Sequence, residues 1–227
     1  MEAWLKRSEN SVTVESLFLH ELCYALGLAA ARSHYALGML TVDVDRFGWD
    51  VALDDGTEES RLQLKVVAKT SKTRKWKVTK RLLRPKGGMP DLGFERSAEG
   101  EGLGGGLLVT TWTQTPEGIT TRYSFANALT LVALEQTIIG TPAQQAGAKR
   151  LLQGLRRGSG RERILVPRTA LVTPKGPDEL LALAGLQAGP PNSNLLVNWH
   201  LLRARATDQN EQAAINGTLK EDFERLL

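Results

Sequence analysis

Between Leu40 and Val66 the apolar residues recur on every second position, and this alternation limits the possible folds more than any other feature of the chain. Leu40, Val42 and Val44 alternate with Thr41, Asp43 and Asp45, the pattern of a strand buried on one face. Gly48 then opens a hairpin. Trp49, Val51 and Leu53 share one face of its first arm, and Asp50 and Ala52 share the other. Asp54-Asp55-Gly56 supplies turn chemistry. On the return arm Leu62, Leu64 and Val66 alternate with Arg61, Gln63 and Lys65. Ahead of these strands the period is different. Val14, Leu17, Phe18, Leu22, Ala25 and Leu28 recur at three- and four-residue spacing, which predicts a helix over residues 12–33 with Ser11 or Thr13 as N-cap. The succession is α-β-β-β. The fold class expected is α/β, with a central mixed sheet flanked by helices and a C-terminal extension.

Further along, residues 72–83 fit either a basic helix or another strand, because Trp76, Val78, Leu82 and Leu83 match neither period cleanly. Residues 85–106 read as a Gly-rich loop. Residues 107–113 form a strand that can pair with 118–124 across Pro116-Glu117. Helices are expected at 125–139, at 143–155 and from Asp208 onward, with further elements, strand or helix, over 164–172 and 195–202. Gly158-Ser159-Gly160 is the best internal boundary. The core is assigned to residues 1–140, with a basic insert at 69–106, and residues 141–227 form an accessory, partner-binding region packed on it.

Composition excludes several chemistries. Cys23 is the sole cysteine, so an internal disulfide and a thiolate zinc site are both unavailable. His20, His34 and His200 show no ligand spacing. Cys23 and His20 read as packed helix residues. No run of about 18 uncharged apolar residues supports a membrane span, and the charged start Met1-Glu2-Ala3-Trp4-Leu5-Lys6-Arg7 is unlike a signal peptide. A cytoplasmic protein is expected, and any metal it uses should be held by oxygen. Gly100-Glu101-Gly102-Leu103-Gly104-Gly105 satisfies G-x-G-x-x-G but follows no strand and opens no helix, so it cannot set pyrophosphate at a helix N-terminus. No Walker-type loop and no G-x-S-x-G elbow occur.

The net charge of +4 matters less than its distribution. Residues 61–86 hold 11 basic side chains and no acidic one, and residues 149–168 hold seven against Glu162 alone. Such runs repel themselves unless a polyanion is their partner. Lys69, Lys72, Arg74, Lys75, Lys77, Lys80 and Arg81 are the candidate nucleic-acid contacts, and Trp76 reads as a packing residue or a stacking platform. The stretch 208–227 is acidic, with five acids against Lys220 and Arg225, and is where a protein partner or second copy could dock.

The polar face of the hairpin carries the chemistry. Gln63 and Lys65 share a face because strand side chains alternate. With the turn centred between Gly56 and Thr57, Asp50 lies opposite Gln63. A carboxylate, a neutral oxygen and an ammonium then converge. Mg²⁺ takes oxygen ligands and keeps several waters, and a lysine beside it can orient a water or offset charge on a phosphate. One carboxylate is a thin site, and Glu15 in the preceding helix is the best second candidate, with Glu21 behind it.

Glu15, Gly27, the segment from Asp45 to Asp50 and Gln63-Leu64-Lys65 together resemble the PD-(D/E)xK nuclease superfamily in its Q-x-K variant, as in Mrr-like restriction nucleases and archaeal-type Holliday-junction resolvases. The resemblance implies Glu15 and Asp50 as metal ligands, Gln63 as a supporting ligand and Lys65 as the catalytic lysine. It implies an Mg²⁺-dependent endonuclease, with Mn²⁺ able to substitute. DNA as the substrate and a restriction or phage-defence setting come from the same likeness. It also implies a helix and a strand following the third strand. The competing reading is a nucleic-acid-binding or scaffolding subunit without turnover.

Overall fold

The alternation after Gly38 builds one arm of a five-stranded sheet. A computed structural model describes residues 2–42, 48–87, 89–94, 102–157, 162–186, 199, 202 and 205–227. After a short helix α1 (Glu2–Leu5) comes the long helix α2 (Ser11–Arg32), then β1 (Gly38–Thr41), β2 (Val51–Asp54) and β3 (Glu59–Ala68). These three strands form an antiparallel meander. The chain then leaves the sheet through β4 (Lys75–Thr79) and a single-turn helix α3 (Lys80–Leu83), and returns as β5 (Gly106–Thr115). β5 lies parallel to β3 and pairs antiparallel with β6 (Gly118–Asn127). The sheet order is β1-β2-β3-β5-β6. The protein is thus a mixed α/β structure with helices flanking a mixed central sheet.

Helix α4 (Ala128–Glu135) follows β6 without a loop. Asn127 ends the strand and caps the helix: its side chain accepts the Thr130 N–H while the Thr130 hydroxyl accepts the Asn127 N–H. Strand β6 therefore continues through Phe125 and Ala126, residues expected to be helical, because β5 offers partners along ten residues. Thr141 and Gln144 repeat the reciprocal cap at the start of α5 (Pro142–Arg156). Then come β7 (Arg163–Pro167), α6 (Pro177–Leu183) and α7 (Gln209–Leu226), the last capped by Asp208. β7 pairs antiparallel with β4 as a separate two-stranded ribbon, and Val172 bridges to Phe125 at the outer edge of the main sheet. The described residues of 141–227 share one hydrophobic core with the sheet, from Leu22 and Leu62 to Leu180 and Phe223. The expected boundary at 158–160 and most of 195–202 lie outside the described residues.

α2 buries Val14, Phe18, Leu22, Leu26, Ala29 and Ala30, a row at mostly four-residue spacing, against the sheet. Leu17 and Leu28, expected in that row, are 49% and 45% exposed, because they lie on the side of the helix turned from the sheet. By length and composition alone α2 would qualify as a membrane span; here one side of it is packed on the sheet. Phe18 stacks on Trp112, and with Val14 it covers Val66 and Ala68. At the other end Gly27 lies against Met39 of β1. The helix thus runs opposite to β3, its N-terminus over the Ala68 end.

Candidate functional site: the Asp50–Gln63–Lys65 patch

The hairpin register pairs Val51 with Leu62 and Asp54 with Glu59, so its centre falls between Gly56 and Thr57. Gly56 takes the left-handed conformation (φ +85°). The Asp54 and Asp55 carboxylates accept backbone N–H groups of residues 56–58 at 2.7–2.8 Å, which makes both of them turn residues.

Asp50 stands one residue before the paired stretch of β2. Its N–H donates to Leu62 O at 2.8 Å, and its carbonyl accepts from Val42 N at 3.1 Å. Its carboxylate Oδ2 accepts the Leu64 N–H at 2.6 Å. A side-chain oxygen thus replaces a rung of the ladder and anchors the carboxylate at the backbone between Gln63 and Lys65. Gln63 is 5% exposed, and its Oε1 is buried with no hydrogen-bond partner. Lys65 is half-buried beside Val109 of β5.

Gly48 brings a further group to the patch. It adopts φ +75°, and a Cβ there would meet the Thr79 Oγ1 at 2.8 Å. Only glycine accommodates both conditions without displacement. Thr79 Oγ1 is itself buried without a hydrogen-bond partner. The end of β4 is therefore pressed against the segment leading to Asp50, with orphaned oxygens of Gln63 and Thr79 flanking it. The isolated Gly48 was the sequence signal for this close approach, but its partner Thr79 could not be named from the sequence. Trp49, 8% exposed, lies beneath the Arg61 guanidinium at 5.5 Å from the ring centre.

Glu15 is not brought to this patch. It is exposed just past the first turn of α2, next to Val14, which packs at the Ala68–Trp112 end of the strands. That end is five residues from Gln63, about 16 Å along β3. Val66 and Ala68 also belong to the sheet face opposite Gln63 and Lys65, since neighbours along a strand alternate. The direction in which α2 docks, fixed by its apolar row, carries Glu15 away. Glu21 is engaged elsewhere, accepting from Thr121 Oγ1 at 3.1 Å and Tyr123 OH at 3.3 Å. Asp43 and Asp45 lie outside the described residues.

Among the basic candidates, Lys69, Lys72, Arg74, Lys75, Lys77 and Arg81 are exposed. Lys80 is the exception: it is 8% exposed, and its ammonium donates to Arg157 O at 2.9 Å and to the Glu162 carboxylate. It is an internal fastening and cannot reach a polyanion without breaking that pair. Trp76 is 6% exposed and packs in the core. Two clefts, of about 240 Å³ beside Lys86 and Asn127 and about 540 Å³ beside Glu21 and Lys175, lie away from the Asp50 patch.

The donor set at the patch is one carboxylate and the orphaned amide oxygen of Gln63. Among the described residues no group of three His, Cys, Asp or Glu side chains could hold a metal. These donors suit a hydrated Mg²⁺, which binds through one or two carboxylates and keeps water for its remaining positions. They would hold it loosely. Comparison with protein-family models, with curated proteins and with solved structures gave no match.

Proposed function

We propose that this chain is a metal-dependent nuclease that hydrolyses phosphodiester bonds in DNA. The observation that carries the reading is the Asp50 carboxylate, anchored on the Leu64 N–H between the unpartnered Gln63 Oε1 and Lys65. The chain order supports it: a helix, an antiparallel three-strand meander, then a crossover to a strand parallel with the third. Where the nuclease resemblance implies a helix, the α-helix among the described residues of the crossover is the single-turn α3. In this reading Asp50 and Gln63 hold Mg²⁺, or Mn²⁺ in its place, and the ion supplies Lewis-acid polarisation of a phosphate oxygen and of a water. Lys65 offsets the charge that develops on the phosphate during in-line attack. Arg61, on the same face and over Trp49, is paired with the Glu59 carboxylate, which leaves Lys65 as the cation of the proposed site. A protein partner or a second copy supplies target choice, and a cytoplasmic restriction or phage-defence setting belongs to the same proposal.

A second reading is favoured by the position of Glu15 and by the lack of a three-acid group among the described residues. It is a nucleic-acid-binding or scaffolding subunit that keeps this architecture without turnover. Plasmid and linear DNA incubated with Mg²⁺ or Mn²⁺ decide between them. Cleavage by the wild type that disappears in Lys65→Ala supports the nuclease. Binding without cleavage in either metal, identical in wild type and Lys65→Ala, overturns it in favour of the subunit.

A further inference from the structure

The two basic clusters, far apart in the sequence, meet in one element. β4 comes from the first and β7 from the second, paired from Lys75–Pro167 to Thr79–Arg163. Because paired residues share a face, the ribbon is two-sided. Trp76, Val78 and Val166 turn inward, at 6%, 1% and 0% exposure. Ile164 beside them packs so closely on α5 that a Cβ at Gly154 would come within 2.7 Å of it. Lys75, Lys77, Leu165 and Arg163 turn outward and are exposed. Lys80 fastens one end of the ribbon through Glu162 and Arg157 O, and the Arg168 N–H closes the other by donating to Arg74 O at 2.8 Å. Residues 69–79 and 163–168 hold seven basic side chains and no acidic one.

We propose that this ribbon is the element that engages nucleic acid, and that its ligand is the major groove of B-form duplex DNA. The inference rests on the nucleic-acid reading given above but not on its hydrolytic chemistry. A two-stranded antiparallel ribbon fits a major groove about 12 Å wide, whereas the major groove of A-form RNA is too narrow for side chains to enter. Single strands are held by aromatic side chains on which bases stack. The outward face presents none, since Trp76 is turned into the core. Leu165, 54% exposed among cations, is suited to contact with a thymine methyl group. The ribbon's inner end also meets the candidate site, because Thr79 lies against Gly48 two residues before Asp50. DNA seated on the ribbon therefore passes beside the Asp50–Lys65 patch. Arg163 and Leu165, from the second cluster, join the contacts expected from the first, and Lys80 leaves them.

The test is fluorescence anisotropy in EDTA, so that neither cleavage nor metal affects the reading. The probes are a labelled DNA duplex, one of its strands alone, the RNA duplex of the same sequence, and vesicles containing phosphatidylserine. The wild type is expected to bind the DNA duplex most tightly. Lys75→Ala with Lys77→Ala should weaken binding by at least about tenfold at 0.1 M salt and make the log–log salt slope shallower by about 2, at about 0.9 per lost phosphate contact. Arg163→Gln, on the partner strand, should flatten the slope by about 1. Arg7→Ala with Lys220→Ala removes the same charge from exposed positions outside the ribbon, one after α1 and one on α7, and should change affinity less than about twofold. Equal losses in ribbon and control variants overturn the assignment, as does tighter binding to the single strand, to RNA or to vesicles. A protein that binds in this way and never cuts keeps the ribbon and loses the nuclease. One that cuts while its ribbon variants bind normally loses the ribbon alone.

Discussion

Replacing Asp50 separates an architectural role from a chemical one. Its carboxylate accepts the N–H of Leu64, a residue 7% exposed, at 2.6 Å. Asp50→Ala leaves that buried N–H unpaired and removes a charge-assisted bond, a loss of about 2 kcal/mol within a range of roughly 1.5–3. For a chain of this length that corresponds to a fall in Tm of about 4–8 °C. Asp50→Asn keeps a carbonyl oxygen in the same place, so it should cost less than about 1 kcal/mol. If Asp50 also serves the reaction, cleavage disappears in both variants although only one is destabilised. Thermal melts by circular dichroism, run beside plasmid cleavage in Mn²⁺, read the two effects independently. An Asp50→Ala protein that melts with the wild type would refute the hydrogen-bond argument. An Asp50→Asn protein that still cuts at the wild-type rate would remove Asp50 from the chemistry.

Arg156 grips Glu135 through two contacts of 2.6 Å, donates to Leu92 O at 2.8 Å and covers Phe94. Arg156→Met should cost about 3 kcal/mol by stranding Glu135, and adding Glu135→Leu should restore part of it in urea titrations; a double variant no better than the single would contradict this. Gly48→Ala forces a side chain into a left-handed position and against Thr79, so about 1–2 kcal/mol should be lost, and Thr79→Ala should recover only the contact share. Burial, and then the neighbouring Glu21 charge, push the Tyr123 phenol up to about 12. The folded protein keeps a proton that the unfolded chain releases near pH 10, so this stabilisation is intact below about pH 10 and is lost as pH rises towards 12. Alkaline melting of Tyr123→Phe should be less steep over that window than that of the wild type, with Tyr35, raised to about 12 by burial and by Asp55 and Asp178, contributing to the remaining slope. Burial also raises the Cys23 thiol, so iodoacetamide should label it far faster in urea than in the folded state.

The hairpin was legible because strict alternation and an Asp-Asp-Gly turn leave one register that buries Val51, Leu53, Leu62 and Leu64 together. The same arithmetic located Asp50 beside Gln63. The course of α2 was not legible: Leu17 and Phe18 look alike in the sequence, and only the sheet decides which is covered. Glu15 was misplaced for that reason, since its reach depended on a docking direction that no local pattern encodes. Lys80 reads like its basic neighbours until Glu162 is brought to it. The capping pair Asn127-x-x-Thr130 was present in the sequence, but ten residues of cross-strand pairing with β5 set the point where the helix begins. Residues 72–83 match neither period because they join a five-residue strand, β4, directly to the single helical turn α3, and β4's partner β7 lies far along the chain.

The pairing of β4 with β7 closes a loop of roughly eighty residues. Ring closure of that size forfeits chain entropy that local hairpins do not, so β5 with β6 can assemble while β4 is still alone. During synthesis the basic segment leaves the ribosome long before its mate, with Trp76 and Val78 uncovered and its lysines on an unshaped chain. The ordered display of that charge then waits on Arg163–Pro167, and a nick between Thr79 and Arg163 would leave the two strands held only by their pairing while β1–β3 stay covalently whole.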